Sequence, residues 1–188
     1  MMAPAMARKR ALYVGVTGHR PNRLPEREWP RVRRDLSEVM AEIETANAGR
    51  RPVLVSGLAE GADRLAAFVA LGRGWALRAV LAFHSSRFEQ DFADPHSIGE
   101  FRALVAASAK VEMPGERANA NRSAEDSYDA VGQRLLKLCE VLIAVWDGEA
   151  SRGKGGSVEI IEQARRGGVP VIWVHAKQPQ PPQALAKA

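Results

Sequence analysis

Three short apolar runs each end in a glycine-bearing turn whose residue types suit a phosphorylated ligand. The first, Ala11–Val16, runs into Gly15-Val16-Thr17-Gly18-His19-Arg20. A glycine lets backbone approach a ligand closely, Thr17 offers a hydroxyl, and Arg20 can make a forked contact to phosphate. The bland alternative is a glycine-closed turn with His19 and Arg20 in solvent. The second run, Pro52–Ser56, leads into Ser56-Gly57-Leu58-Ala59-Glu60-Gly61-Ala62-Asp63. Free amides at the start of the following helix would suit an anion. Glu60 and Asp63 would repel one, however. They either stabilise the helix dipole or accept hydrogen bonds from ribose hydroxyls or a base. The third run, Val141–Trp146, is followed by Asp147-Gly148 and then by Gly153-Lys154-Gly155-Gly156-Ser157 at a helix start. Glycines, a lysine and a hydroxyl there resemble a phosphate cradle in kind, the alternative being a flexible loop with a serine cap. The GxGxxG fingerprint is absent, and Lys154 precedes the final glycine, unlike a Walker lysine, so triphosphate hydrolysis is not implied.

Other chemistry is poorly supported. His19, His84, His96, His175 and Cys139 show no metal-ligand spacing, so no metal is expected. Ser56, His19 and Asp147 lack the GxSxG context of a catalytic triad. Phe88 and Phe92, four apart, could wall a base, although core packing is the commoner fate of such a pair. The polar segment 114–127, carrying Asn119, Asn121 and Arg122, reads as a mobile loop able to close over a ligand.

The elements that must position these turns alternate in type. Six apolar runs read as strands: Ala11–Val16, Pro52–Ser56, Leu77–Ala82, Lys110–Met113, Val141–Trp146 and Val169–Val174. Helical spacing marks Glu28–Ala48, Gly61–Leu71, Ser123–Cys139 and Ser157–Arg166. Alternation of this kind implies a single doubly wound α/β domain, a mostly parallel sheet of about six strands with helices on both faces. Its ligand would bind outside the carboxyl ends of the strands, where strand order reverses. The chain of 188 residues divides into a basic arm (1–10), one domain (11–176) and a Pro/Gln-rich tail (177–188) read as disordered or draped.

Composition narrows the function. One cysteine excludes an intrachain disulfide and points to a reducing, cytoplasmic setting. The longest apolar stretch, Val141–Trp146, is far below the ~18 residues of a membrane span. Net charge is +5, but residues 1–51 hold 11 Lys/Arg against 6 Asp/Glu while 52–188 hold 16 of each. A surplus confined to an arm and one helix reads as a solvated face or oligomer contact rather than a nucleic-acid surface.

Val14–Arg20, Val55–Leu65 and Leu142–Glu159, with their "TGHR", "SGxAxGAD" and "IAVWDG…GKGG" segments, resemble the SLOG superfamily of Rossmann-like domains. That superfamily includes the Lonely Guy phosphoribohydrolases, a DNA-uptake protein family and small stand-alone bacterial proteins. The resemblance spans Ala11 to Val174. It implies a Rossmann-like fold, a bound nucleotide or nucleotide derivative with phosphate at the last glycine-rich loop, and commonly a dimer. The phosphoribohydrolases carry GGxGTxxE and an arginine on the preceding helix. Matching Gly156-Ser157 to that Gly-Thr places Ile160 at the glutamate position, with Glu159 one residue short, and Val131 at the arginine position, near Gln133 and Arg134. The resemblance therefore supports binding more than hydrolysis.

The expectation is a nucleotide-binding protein without a further cofactor. Its ligand would be held by Thr17, Gly18, His19, Arg20, Ser56, Gly57, Glu60, Asp63, Asn121, Arg122, Asp147, Gly148, Lys154, Gly155, Gly156 and Ser157. The rivals are an N-glycosidic hydrolase using Glu159 and a nucleic-acid or protein interaction module using the basic first quarter.

Overall fold

The computed structural model describes residues 10–92, 94–114, 123–150 and 156–187, without the side chains of Phe88 and Asp91. Most of the basic arm, and Asn119, Asn121, Arg122, Lys154 and Gly155, lie outside the described residues.

Seven strands form one sheet: β1 (Ala11–Gly18), β2 (Arg51–Ser56), β3 (Ala76–Val80), β4 (Lys110–Glu112), β5 (Val141–Trp146), β6 (Val171–His175) and β7 (Gln183–Leu185). Their order is β4-β3-β2-β1-β5-β6-β7, and every neighbouring pair is parallel except β6–β7. The seventh strand exceeds the sequence expectation: within the segment read as a tail, Gln183–Leu185 pairs antiparallel with Val171–Trp173. The central strands carry the continuous apolar character that burial on both faces demands. Leu142, Ile143, Ala144 and Val145 of β5 are fully buried, as are Val14 and Val16 of β1.

Among the described residues the α-helices are α1 (Trp29–Ala46), α2 (Ala62–Gly72), α3 (Ser85–Phe88), α4 (Pro95–Ala107), α5 (Ala124–Leu138) and α6 (Ser157–Arg166). In α1 the stripe Val32, Leu36, Val39, Met40 and Ile43 is the buried face, as its 3.6-residue spacing predicts. Helices α2 and α5 both rest on β1, β2 and β3, so they take opposite faces. Around α2 gather α1 and α4, and beside α5 lies α6, which also covers β5 and β6. Helix α4 has no counterpart in the sequence reading. Asp94 caps it by accepting from the Ser97 amide at 2.9 Å, Pro95 opens its first turn, and Phe101 and Leu104 face the core.

Successive strands β1, β2 and β3 step to one side of β1, whereas β5 and β6 lie on the other. Strand order therefore reverses between β1 and β5, and the ends of those two strands define the crevice where ligands of open α/β sheets bind. No helix among the described residues is long and apolar enough to cross a membrane.

Candidate functional site

The turns after β1 and β2 and the start of α6 converge at this reversal. Pairing of β1 with β5 runs through Gly18, opposite Val145, and one step further the His19 amide donates to the Val145 carbonyl at 3.0 Å. The His19 carbonyl then accepts from the Ala62 amide at 3.0 Å, tying the start of α2 to the end of β1. Ser157 Oγ donates to the Gly18 carbonyl at 2.7 Å, tying the start of α6 to the same place. Glycine is required on both sides of this knot. A Cβ on Gly18 would stand 2.5 Å from Ala62 Cβ, and one on Gly61, at φ +91°, would stand 2.5 Å from the His19 oxygen.

Below the first turn lies a buried ionic cluster. The Asp147 side chain is 1% exposed. Its Oδ1 is 2.8 Å from His19 Nε2 and 2.7 Å from Arg23 Nη2, and its Oδ2 is 2.8 Å from Lys177 Nζ. Burial by itself would raise the Asp147 carboxyl, but hydrogen bonds from Lys177, His19 and Arg23 outweigh it and hold the group well below the usual carboxylate range. Burial also pushes the His19 imidazole down, against the pull of Asp147. Asp147 and His19, both expected at the ligand, are thus engaged with each other and with flanking cations, and they anchor the turn. Gly148 follows at φ +82° and is exposed.

The second turn is filled by its own side chains. Ser56, fully buried, accepts from the Leu58 amide at 3.1 Å. Leu58, also fully buried, sits at φ 54°, a left-handed conformation that a branched side chain adopts only under constraint. The Asp63 carboxylate accepts from the amides of Gly57 and Ala59, the groups that would otherwise receive an anion. Burial pushes Asp63 up to about 7, against these hydrogen bonds and the charges of Arg20 and Arg64. Glu60 accepts from Ser97 Oγ on α4. The two acids expected at a sugar therefore face protein partners.

Asp63 carries a pH prediction. An unfolded aspartate titrates near 3.9, so between about 4 and 7 the folded chain holds a proton that the unfolded chain has released. Asp63 must then lower stability as pH rises through that window, with no further change above it. Asp63→Asn is expected to remove this downward contribution. Melting temperatures of both proteins from pH 4 to 8 test it: parallel profiles would mean that Asp63 titrates normally.

Thr17, expected at the ligand, is buried in β1, and what remains accessible is Arg20, with Gly18, Gly57, Gly156 and Ser157 half-buried, beside an aromatic pair that sequence reasoning did not find. Arg20 is exposed, and its guanidinium lies 5.4 Å from the ring centre of Tyr128 on α5. Tyr128 meets Phe83 edge-on at 5.6 Å, and Arg87 lies 4.1 Å over Phe83. Tyr128 was legible only as part of the α5 stripe, and Phe83 only as the residue that follows the third apolar run, Leu77–Ala82. Of the pair expected as a wall, Phe92 packs on Phe101 at 5.2 Å and beneath Arg64. Its partner Phe88 is undescribed beyond its backbone.

The residues at the phosphoribohydrolase positions are apolar in their surroundings too. Val131 is buried, and Ile160 is half-buried against Gly132 where α5 and α6 meet. Arg134 is held by Glu112 of β4 at 2.8 Å. Glu159 occupies the first turn of α6 and is half-buried.

A scan against protein-family models finds no match, and no curated protein matches the chain. Solved structures do. DNA processing protein A from Streptococcus pneumoniae is 23% identical with a TM-score of 0.56, over 86% of this chain and 50% of that one. DNA processing protein A from Helicobacter pylori, a protein with a single-stranded DNA binding mode, is 18% identical with a TM-score of 0.53, over 86% of this chain and 64% of that one. The structural-genomics protein TM1055 is 15% identical with a TM-score of 0.50, over 85% and 72%. This chain spans about half the length of the Streptococcus protein. At these identities the likeness is one of fold: the chain has a Rossmann-like α/β fold.

Proposed function

We propose that this chain is a member of the SLOG superfamily that binds a nucleotide or nucleotide-derived small molecule at the carboxyl ends of β1, β2 and β5. The observation that carries the reading is the knot at the strand-order reversal, where Ser157 and Ala62 bind the backbone of Gly18 and His19 and bring α6 and α2 to one point. Phosphate would be held at Lys154, Gly155, Gly156 and Ser157, with the guanidinium of Arg20 opposite. Gly57 and Gly148 would line the crevice, and Asn121 and Arg122 would close it. Tyr128, half-buried beneath Arg20, brings an aromatic ring to the same edge of the sheet. The amides of Gly57 and Ala59 would not donate to phosphate, because they already donate to Asp63.

Hydrolysis of an N-glycosidic bond through Glu159 is the weaker reading, since Val131 and Ile160 stand where that chemistry needs an arginine and a glutamate. Binding of single-stranded nucleic acid is favoured by one observation, the alternation of Arg87, Phe83, Tyr128 and Arg20 along the strand ends.

Calorimetric titration with nucleoside mono- and diphosphates and with a single-stranded oligonucleotide separates these readings. Saturable binding of a mononucleotide is expected, weakened about tenfold or more by Arg20→Ala or Lys154→Ala, a loss of about 1.4 kcal/mol, with little change in melting temperature. Oligonucleotide binding alone, with a steep salt dependence, would replace the proposal. Release of free base that disappears in Glu159→Gln would establish the hydrolase instead.

A further inference from the structure

Two guanidiniums at the carboxyl edge of the sheet, Arg20 after β1 and Arg87 after β3, are held by aromatic rings rather than by acids. Elsewhere Arg23, Arg31, Arg73, Arg102 and Arg134 each donate to a carboxylate. Arg20 and Arg87 are exposed, and among the described residues neither side chain has a hydrogen-bond or ion-pair partner. Asp63, which feels the Arg20 charge, is buried and accepts from the amides of Gly57 and Ala59. Arg20 Cζ lies 5.4 Å from the ring centre of Tyr128, and Arg87 Cζ lies 4.1 Å from that of Phe83. A cation over a ring is held by the ring's quadrupole and spends none of its N–H donors. Both planar forks therefore stay available to an anion.

The two supports are joined. Phe83 is 7% exposed and belongs to the core, and Tyr128 meets it edge-on with ring centres 5.6 Å apart. One continuous path of contacts thus links the cations along the strand ends. Strands β1 and β3 are separated by β2 alone, so their ends lie about 10 Å apart.

That spacing selects the ligand. The adjoining phosphates of a nucleoside diphosphate share an oxygen and sit too close together to reach both cations. Phosphates on opposite sides of a sugar are set further apart, and each can meet one guanidinium. A long single strand would use the same cations, but it also stacks its bases on aromatic faces. Here Phe83 is buried and Tyr128 already carries Arg20.

We propose that the ligand of the strand-end crevice carries two phosphates separated by a sugar, one taken by Arg20 and the start of α6, the other by Arg87. A nucleoside 3′,5′-bisphosphate is the simplest case. This inference rests on the nucleotide reading above and extends its site past β2 to the end of β3.

The test is calorimetric titration of the full chain with the 5′-monophosphates, 5′-diphosphates and 3′,5′-bisphosphates of the common nucleosides, and with 5′-phosphorylated oligonucleotides of increasing length. For the base that binds best, the bisphosphate is expected to bind at least about tenfold more tightly than the monophosphate, and the diphosphate to gain less. Arg87→Ala, at an exposed position, is expected to bring the bisphosphate down to the affinity of the monophosphate. Arg87→Lys, which keeps the charge but not the planar fork, should retain only part of the gain. A monophosphate that binds while the bisphosphate gains nothing would overturn the two-phosphate inference and leave the nucleotide reading standing. A gain that survives Arg87→Ala would do the same. Binding of no nucleotide would overturn both, and affinity that climbs steadily with oligonucleotide length would replace the short ligand with a strand.

Discussion

Gly61→Ala is expected to destabilise the fold by about 3 kcal/mol or more, the sum of two effects. The backbone at φ +91° and ψ −124° lies in a region that only glycine enters freely, and holding another residue there costs about 1–3 kcal/mol. The new methyl would also stand 2.5 Å from the His19 oxygen and 3.0 Å from Arg20 Cα. Those contacts are with backbone, which cannot rotate away as a side chain would, and overpacking of this kind costs about 1–3 kcal/mol. For a domain of this size the melting temperature should fall by about 6–12 °C. Thermal unfolding followed by circular dichroism is the measurement. A fall below about 2 °C would mean that the turns after β1 and β2 are not locked together.

Asp147→Asn should be comparably damaging, at about 3 kcal/mol. Removing one partner of a buried ion pair leaves the other uncompensated and costs about 3–5 kcal/mol. Here Arg23, 14% exposed, keeps at most one neutral acceptor in place of the two carboxylate oxygens and retains only Glu149, at 3.3 Å, as a counter-charge. Lys177 is 38% exposed and adds little, because solvent screens it. The pH dependence gives the sign of the effect independently. The folded carboxyl sits below its unfolded value of about 3.9, so its contribution is complete above that value and is lost as pH falls through the folded one. The gap between wild type and variant should therefore be full at neutral pH and narrow in acid. A gap that persists unchanged below pH 3 would assign the loss to shape rather than charge.

Much of the framework was readable from residue order. Val141–Trp146 and Ser157–Arg166 have the same bounds in the sequence reading and in the structure, because each is a local signal bracketed by glycine or polar breaks. Strand β1 runs two residues past Ala11–Val16, since its pairing with β5 continues through Thr17 and Gly18. Helix α4 escaped notice although Ile98, Phe101, Leu104 and Val105 have helical spacing. Pro95 opens the helix and Gly99 is tolerated within it. Strand β7 has no local signature at all, being defined by its partner.

The candidate site divides along the same line. That three turns meet at one sheet edge follows from strand alternation. Which side chains face outward does not, because it depends on partners remote in sequence. Asp147 is claimed by Arg23, 124 residues away, and by Lys177, 30 away. Asp63 accepts from the amides of Gly57 and Ala59, in the turn just before its own helix.

The short strand Gln183–Leu185 has a consequence for how copies of this chain meet one another. A parallel sheet ending at β6 would present a row of free amides and carbonyls, a template onto which another chain could add and begin to aggregate. Strand β7 covers that row by running the opposite way, and Arg165 Nε fastens it to α6 through the Ala186 carbonyl at 2.7 Å. The other margin is guarded differently: β4 is three residues long and carries Lys110 and Glu112, the latter gripped by Arg78 and Arg134. Both margins of the described sheet therefore end in strands of only three residues, which leave little unpaired backbone for another chain to extend.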